Sequence, residues 1–438
     1  MGIKVAKFGG SSVADAIQIK KIKDIVFADD DIRYVVVSAP GKRFSEDTKV
    51  TDLLYLCRTH IEHKLAYEQI FQVICDRYLS MESSLGVDVG MKEELAQIRE
   101  NINAESSVDY IASRGEYLNA KLIAAYLGFE FIDSARMIKF SDKGKFLEER
   151  TNEEIAAVLG ETDRAVIPGF YGSRIDSTIK TFSRGGSDIT GALVARAMKA
   201  DVYENWTDVS GFLVADPRIV DNPKPISQIS YKELRELAYM GASVLHEEAI
   251  YPAKVANIPI NIRNTNRPQD PGTMITSEPA KLEGNQIISG IAGSKDFTTI
   301  TVYNSHMIGQ KGFIRKMAGI LEDHDVTIEH IPSGIDTVSV VVNNKIIDGK
   351  LEEIVEEFER QLKPESVDVA PDVALIATVG AGMAARTGTS AKLFTALANA
   401  GVNIRMIDQG SSEMNIIVGV ANRDFEKAIR AIYKAFVD

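Results

Sequence analysis

The feature that most limits how this chain can fold is an internal repeat in its C-terminal third. Residues 312–331 align with residues 388–407 without a gap. The matched positions include Gly312 with Gly388, Lys316 with Lys392, Leu321 with Leu397, Val326 with Val402, Ile328 with Ile404 and Ile331 with Ile407. The offset between the copies is far longer than the ~20 to 50 residues of solenoid repeats. The pattern therefore predicts a duplicated small domain.

Each copy of the repeat has the same predicted order of elements. The matched segment reads as a helix followed by a strand, and further apolar runs precede and follow it. Predicted strands flank the two copies at 299–303 and 338–342, and at 374–379 and 415–420, and each copy closes with a helix, at 351–362 and 425–436. This βαββα order is that of a ferredoxin-like unit. A plain dimerisation or packing module is the alternative, since exposed sheet edges pair readily.

The first two thirds of the chain alternate between strand and helix patterns. Short β-branched and apolar runs predict strands at 3–8, 34–38, 165–167 and 201–206, with helical spacing at 14–27, 111–126 and 189–198. Such alternation predicts an α/β fold with a mainly parallel sheet covered by helices on both faces. A chain of 438 residues exceeds one core. We therefore expect domains at 1–285, 286–371 and 372–438.

Charge and cysteine content indicate which kinds of partner and which cellular compartment to expect. The formal net charge of -12 disfavours nucleic acid or an anionic membrane as a partner, because both require a basic face. The two cysteines, Cys57 and Cys75, have no CxxC spacing, which disfavours a disulfide framework. No signal-like N-terminus and no apolar run of membrane-span length are present in the sequence. A cytoplasmic protein is the expectation.

The first candidate site is the KFGGSS sequence near the N-terminus. Lys7 falls at the end of a predicted strand, and Gly9 and Gly10 follow it ahead of a helix. Glycines let the backbone approach an anion closely and direct N–H groups at it, so phosphate is the expected ligand. The sequence matches neither the P-loop nor the dinucleotide fingerprint. A plain turn remains the alternative.

Three further motifs carry charged groups suited to ligands. Arg184 opens the glycine-rich sequence RGGSD, in which Ser187 or Asp188 can cap a helix, or the motif is no more than a capped helix start. Asp208, in WTDV, falls at a strand end, where ligands collect in open α/β sheets. Glu116, in SRGE, is either functional or a solvated acid in the first turn of a helix.

The ordered set KFGGSS, SRGE, FSRGGSD, WTDV and DPR, together with the C-terminal repeat, resembles the aspartate kinase family over nearly the whole chain. The resemblance implies an amino-acid-kinase fold followed by paired ACT domains. It also implies transfer of the γ-phosphoryl group of ATP to the side-chain carboxylate of L-aspartate, the first step of lysine, threonine and methionine biosynthesis. Feedback inhibition by lysine or threonine is expected, both remaining open.

The resemblance also implies roles for individual residues at the site of transfer. Lys7 is expected to stabilise the transferring phosphoryl group, and Asp188 to orient Lys7. Arg184 is expected to bind the α-carboxylate of aspartate and Glu116 its α-ammonium group. The remaining substrate contacts implied are Thr51, Gly185, Gly186 and Ser187.

For the nucleotide, the resemblance points to a set of residues near strand ends. They are Gly9, Gly10, Ser38, Thr207, Asp208, Leu213, Arg218, Ser243 and Val244. Leu213 stands where many relatives have tyrosine, and Ser243 where lysine is frequent. The ion Mg2+ is expected to be held mostly by phosphates and water, without a dedicated protein cage.

In the regulatory part, the family binds an end-product amino acid where ACT domains pair between subunits, which implies a homo-oligomer. The implied effector contacts are Met307, Gly312, Phe313, Ile314, Glu329 and Ser333. Glu329 is the candidate for the effector's ammonium group, with a surface acid as the alternative.

Two other functions compete with this interpretation. Another amino-acid-kinase-fold enzyme, acting on N-acetylglutamate, glutamate or carbamate, is disfavoured by the combined motifs and the repeats. A catalytically silent amino-acid sensor is disfavoured by the retained Lys7, Arg184 and Asp188.

Overall fold

The computed structural model describes residues 2–183, 185–241, 247–279, 287–305, 307, 310–384 and 386–437, without the side chains of residues 247 and 248. The chain divides into two units. The first comprises residues 1–212, 225–231 and 244–279, and the second comprises residues 213–224, 232–243 and 280–438. Segments 213–224 and 232–243 thus group with the C-terminal residues, although they precede residue 285. The domain boundaries expected from the sequence stay a prediction.

The first unit is built on a sheet with helices packed around it. Its strands are β1 (Lys4–Phe8), β2 (Ile32–Val37), β3 (Glu130–Phe131), β4 (Lys139–Phe140), β5 (Ala165–Pro168), β6 (Tyr171–Arg174), β7 (Ile179–Thr181), β8 (Val202–Thr207), β9 (Gln228–Ser230), β10 (Ile260–Asn264) and β11 (Thr273–Thr276). Its helices are α1 (Ala16–Phe27), α2 (Val50–Glu62), α3 (Glu68–Leu85), α4 (Met91–Asn101), α5 (Val108–Leu127), α6 (Glu148–Gly160), α7 (Gly186–Ala197) and α9 (Glu247–Val255). Helix α8 (Tyr231–Tyr239) begins in this unit and continues in the second.

The main sheet has the strand order β3-β5-β2-β1-β8-β10-β11-β9. Its described pairs are parallel except β10 with β11, which are antiparallel. Strands β4, β6 and β7 form a separate small sheet. The predicted α/β class and mainly parallel sheet are confirmed. The predicted strands and helices of this part are also present, with ends shifted by a few residues.

Local sequence explains where the helices begin and which face they bury. The Asp15 side chain accepts a hydrogen bond from the Gln18 backbone N–H and caps α1, while Ser107 caps α5 in the same way through Tyr110. Along α1, Ile19, Ile22 and Val26 are buried at helical spacing. One apolar cluster joins these residues to Phe8 and Trp206 of the central strands and to helices α2 to α5.

The second unit contains both copies of the repeat. Its strands are β12 (Gly290–Tyr303), β13 (Thr337–Asn343), β14 (Ser366–Val379), β15 (Met406–Asp408) and β16 (Asn415–Ala421). Its helices are α10 (Phe313–Asp323), α11 (Asn344–Ile347), α12 (Leu351–Leu362), α13 (Thr389–Asn399) and α14 (Phe425–Phe436). The closing helices of the two copies begin and end where the sequence predicted.

The two copies share one antiparallel sheet, in the order β13-β12-β14-β16-β15. Strand β12 is long enough to serve both copies: its residues 290–294 pair with residues 375–379 of β14, and its residues 299–303 pair with β13. The expected boundary between residues 371 and 372 lies within β14. The prediction that residues 312–331 end in a strand is wrong, because residues 326–331 form no strand and only His330 makes an isolated bridge, to Val341, whereas the second copy has β15 at this place.

Among the described residues, no helix combines the length and apolar character needed to cross a membrane.

Candidate active site

Adjacent parallel strands of the first unit end at one edge of the main sheet. In register, Phe8 of β1 lies beside Val37 of β2 and Trp206 of β8, and Asn264 of β10 lies beside Thr207. The connections that follow these strands therefore meet at the same edge, which is where ligands bind in open α/β sheets. Five residues predicted from the sequence lie at this edge: Gly9, Gly10, Ser38 and Asp208 follow the strands, and Thr207 is the last residue of β8.

A buried ion pair marks the centre of this edge. The Lys7 Nζ atom lies 2.6 Å from Asp188 Oδ1, and the two side chains are only 9% and 18% exposed. Asp188 is in the first turn of α7, and its Oδ1 atom also accepts a hydrogen bond of 2.8 Å from Asn205 Nδ2 on β8. The structure therefore brings together the two predicted catalytic residues. Asp188 fixes the ammonium group of Lys7 from one side.

The glycine turn after β1 lies directly beside this ammonium group. A Cβ atom added to Gly9 would be 3.5 Å from Lys7 Nζ. The Gly9 N–H donates to the Trp206 carbonyl, and residues 10–13 form a 3-10 turn. The Ser12 and Thr265 hydroxyl groups are 2.7 Å apart and tie this turn to the connection after β10. A phosphate held at the turn would meet the Lys7 charge.

Glu116 reaches the same edge from α5. A Cβ atom added to the preceding residue, Gly115, would lie 2.8 Å from Ala39 Cβ, so only glycine lets the helix approach the end of β2 this closely. Glu116 is 5% exposed, and its Oε2 atom is buried without a hydrogen-bond partner in the structure. Burial raises the pKa of Glu116 to about 8, although hydrogen bonding to Ala39 opposes this. A buried carboxylate oxygen without a hydrogen-bond partner is suited to receive a ligand's ammonium group.

Ser38 and Thr51 occupy the connection that leads from β2 into α2. Ser38 donates its N–H to the Phe8 carbonyl, and its own carbonyl accepts a 2.7 Å hydrogen bond from Asn119 Nδ2. Thr51 is half-buried in the first turn of α2. Hydrogen bonds therefore hold the Ser38 backbone at the site edge, and Thr51 lies where the same connection enters α2.

The structure places only some of the other substrate and nucleotide candidates. Gly185, Gly186 and Ser187 form the start of α7, directly before Asp188, while Arg184 lies outside the described residues. Thr207 ends β8 and Asp208 follows it, with the Thr207 hydroxyl 3.2 Å from Asp208 Oδ1.

Two nucleotide candidates belong to the second unit, and two lie outside the described residues. Leu213 and Arg218 are in segment 213–224, and Leu213 is partly exposed. The Arg218 guanidinium is exposed and pairs with Asp216 at 2.6 Å, which lowers the pKa of the Asp216 carboxyl. Ser243 and Val244 lie outside the described residues.

The predicted effector residues form two groups in the second unit. Met307 and Phe313 are buried in the core of the first repeat, while Gly312 caps α10 and Ile314 is exposed beside it. Glu329 and Ser333 lie alongside β13. Glu329 donates its N–H to the Val341 carbonyl, and Ser333 forms an isolated β-bridge with Val338. The Glu329 carboxylate accepts a hydrogen bond from the Tyr239 hydroxyl, and burial together with this contact raises the pKa of Tyr239 to about 12.

Asn205 is a site residue that the sequence analysis missed. It is 3% exposed, lies in register with Lys7, and donates to Asp188. The signal was present in the sequence, because Asn205 is two residues before Thr207 on one strand, and residues two apart share a face.

We expect Asn205→Ala to lower kcat about tenfold, since a hydrogen bond to a charged group is lost. Steady-state kinetics check this, with Asn205→Asp as the comparison. Because Asn205→Asp places a second carboxylate beside Asp188, it should reduce kcat further. An unchanged kcat in both variants would show that Asn205 has no role in the site.

Comparison with known proteins first assigns a class to this fold and site. The model of the amino acid kinase family matches residues 2–264, and that of the ACT domain matches residues 376–436. The second match covers the second copy of the repeat.

Relatives of known activity narrow the class. Aspartokinase 3 of Bacillus subtilis (strain 168) is 39% identical over 450 residues, which cover 99% of this chain and 98% of the relative. The crystal structure of Clostridium acetobutylicum aspartate kinase is 52% identical, covers 100% of both chains and has a TM-score of 0.93. Escherichia coli aspartokinase III, at 26% identity and full coverage of both chains, gives TM-scores of 0.74 in complex with aspartate and ADP and 0.76 in complex with lysine and aspartate.

The chain belongs to the aspartokinase family, whose members use ATP to phosphorylate aspartate. The resemblance found in the sequence is confirmed, and the two competing functions are set aside.

Proposed function

We propose that phosphoryl transfer from ATP to the side-chain carboxylate of L-aspartate takes place at the carboxyl edge of the main sheet in the first unit. The observation that carries this is the buried Lys7–Asp188–Asn205 group beside the glycine turn. An acceptor carboxylate with a pKa of about 4 is already ionised at neutral pH, so no general base is needed. The task left to the protein is charge neutralisation and positioning.

In this proposal, Lys7 provides the buried positive charge at the transferring group. Its pairing with Asp188 holds the ammonium at a fixed place, so that little reorganisation is needed during the transfer. The Gly9 N–H is taken by the Trp206 carbonyl, so the remaining N–H groups of the glycine turn and the N-terminus of α7 would bind the phosphates, because helix dipoles favour negative charge there.

Glu116 is proposed to bind the α-ammonium group of aspartate. Its buried, unpartnered Oε2 atom supports this, since an incoming ammonium group would satisfy it. Arg184, Ser187 and Thr51 complete the proposed substrate contacts, with the guanidinium suited to the α-carboxylate. The nucleotide contacts proposed from the sequence remain part of the proposal.

The carboxylates at this edge fit an Mg2+ ion that arrives with the nucleotide. Asp188 is occupied by Lys7 and Asn205, whereas Asp208 is exposed and, within the described part of the chain, accepts a long hydrogen bond from Thr207 alone. Asp208 would therefore hold the ion, with phosphates and water as the other ligands. When bound, Mg2+ neutralises charge on the phosphate oxygens.

Lysine is the proposed effector, and Glu329 is its proposed ammonium contact. The lysine complex of the Escherichia coli relative supports the choice of effector. The proposal also includes a homo-oligomer formed through the repeats and a cytoplasmic location. Because the Tyr239 hydroxyl already bonds to Glu329, an effector's ammonium group would share or displace that hydrogen bond.

Replacing Glu329 tests this effector site. We expect Glu329→Gln to raise the lysine concentration that gives half inhibition at least about tenfold, since a hydrogen bond to a charged group is weakened. Inhibition curves at fixed aspartate measure the effect. Asp323→Asn, an exposed acid on α10, is the control and should leave the curve unchanged. Equal inhibition of Glu329→Gln and the unaltered protein would contradict the assignment.

A substrate panel tests the proposed activity. ATP- and Mg2+-dependent acyl phosphate would be trapped with hydroxylamine, using L-aspartate, L-glutamate and N-acetyl-L-glutamate, each with and without lysine or threonine. The expected result is product with aspartate alone, suppressed by lysine. Product only with another carboxylate would overturn the substrate assignment, and suppression only by threonine would overturn the effector.

A further inference from the structure

The connection between β2 and α2 touches the glycine turn backbone to backbone. The Gly41 N–H donates to the Gly10 carbonyl at 2.8 Å. A Cβ atom added to Gly41 would lie 2.6 Å from the Gly10 carbonyl carbon, which no side chain can tolerate. The same connection leads into α2, where Val50 donates its N–H to the Pro40 carbonyl and Thr51 follows. Displacement of this connection would therefore disturb both the glycine turn and Thr51.

A single buried guanidinium joins the segments involved. Arg77, on α3, has a side chain only 3% exposed. Its Nη2 atom donates to the Ala14 carbonyl at 2.8 Å and to the Gly41 carbonyl, and its Nη1 atom donates to the Thr48 carbonyl at 3.2 Å. Ala14 follows the 3-10 turn at residues 10–13, and Thr48 precedes α2. Arg77 thus fastens the end of the phosphate turn, the middle of the connection and the approach to Thr51 at once.

Packing alone does not explain why residue 77 is an arginine. Asp47 is 3.5 Å from Arg77, but its carboxylate is taken mainly by Arg43, at 2.8 and 2.9 Å. Burial lowers the pKa of Arg77, and its Nε atom has no hydrogen-bond partner in the structure. Burying a cation among carbonyl groups is costly compared with an apolar side chain of similar volume. What an apolar side chain cannot supply is the planar fork that holds several carbonyls in fixed positions.

We infer that Arg77 is a positioning residue for phosphoryl transfer, which holds the connection between β2 and α2 against the glycine turn. The inference rests on the proposed function for its catalytic consequence. Its structural part, the anchoring of residues 41–51, can be measured separately.

The first test compares Arg77→Lys and Arg77→Met with the unaltered protein. The lysine keeps the charge without the fork, and the methionine keeps the volume without the charge. We expect kcat for aspartate phosphorylation to fall about 100-fold in both, because small misplacement of reacting groups has effects of that size. Amide hydrogen exchange in residues 41–51 should accelerate, while that of β5 and of the second unit stays unchanged. Lys20→Met, an exposed cation on the same groove as Arg77, is the matched control.

The second test is chemical rescue. Arg77 borders a groove of about 640 Å³ that is open to solvent, so a guanidinium ion can reach the space left in Arg77→Ala. Millimolar guanidinium should restore part of kcat in Arg77→Ala and none in Arg77→Met, where the methionine fills the space. Rescue of Arg77→Ala but not of Arg77→Met would show that a guanidinium group at this place supports turnover.

The outcomes separate this inference from the proposed function. An unaltered protein that is inactive with aspartate would overturn the proposed function, while hydrogen exchange would still decide whether Arg77 anchors residues 41–51. Unchanged exchange in Arg77→Lys and Arg77→Met would overturn the inference. So would a kcat within about threefold of the unaltered protein in both variants.

Discussion

Lys7→Ala is expected to lower kcat about 1,000-fold or more, because a preorganised cation is removed from the place where phosphoryl charge develops. The free energy of unfolding should change much less than the activation barrier. Asp188 would keep its hydrogen bond from Asn205 and is 18% exposed, so it does not become a fully isolated buried charge. Single-turnover kinetics at saturating ATP and aspartate measure the effect without a contribution from product release.

Lys4→Ala is the matched control for this prediction. Lys4 is on the same strand as Lys7, but pairs with Asp29 at 2.5 Å and is not at the carboxyl end. Its replacement should leave kcat nearly unchanged. Turnover of Lys7→Ala close to that of the control would refute the role given to Lys7.

The second large effect is a pH dependence of aspartate binding that arises from Glu116. Burial raises the pKa of Glu116 to about 8, so in the free protein the carboxyl group is mostly protonated at neutral pH. Only the ionised form pairs with the α-ammonium group of aspartate. Binding below pH 8 must therefore release a proton. The KM for aspartate is expected to fall about tenfold per unit as the pH rises toward 8, and to level off above it.

Two measurements check this dependence. Calorimetric titration with aspartate at pH 7, in buffers of different ionisation enthalpy, should show release of nearly one proton. Glu116→Gln should flatten the pH profile and raise the KM about 50-fold above pH 8, because the contact to a charged group is lost. Glu105→Gln, an exposed acid just before α5, is the control. A KM independent of pH in the unaltered protein would contradict the role of Glu116.

Much of the catalytic unit could be predicted from the sequence because local patterns determine it. The run of residues 4–8, the two glycines and the apolar spacing of α1 define strand, turn and helix without long-range information. The carboxyl-edge rule then places Lys7 and Asp208 at one edge, as the register confirms. The pairing of Lys7 with Asp188 came from family resemblance, since those residues are far apart along the chain.

Long-range features could not be predicted in this way. Arg77 looks like one polar residue in an amphipathic helix, and only the fold brings it to the Ala14, Gly41 and Thr48 carbonyls. The shared sheet of the repeats depends on β12 running on for 14 residues, which the short apolar run at 299–303 did not indicate. Pairing between distant segments has no local signal.

The grouping of segment 232–243 with the C-terminal residues also changes how regulation should be tested. Glu233 is 1% exposed and accepts hydrogen bonds from the Ser289 hydroxyl and the Ala381 N–H, and Leu237 packs against Gly290. Removing the residues after 286 would leave this carboxylate and this apolar surface uncovered. Point substitutions such as Glu329→Gln therefore test the effector site more cleanly than truncation.

The most direct test of the central claim identifies which carboxylate of aspartate is phosphorylated. The product formed from ATP and L-aspartate would be reduced with borohydride, which converts an acyl phosphate to an alcohol, and analysed by chromatography and mass spectrometry. Phosphorylation of the side-chain carboxylate predicts homoserine, absent from the Lys7→Ala reaction. The isomeric 3-amino-4-hydroxybutanoate, or homoserine formed equally well by Lys7→Ala, would contradict it.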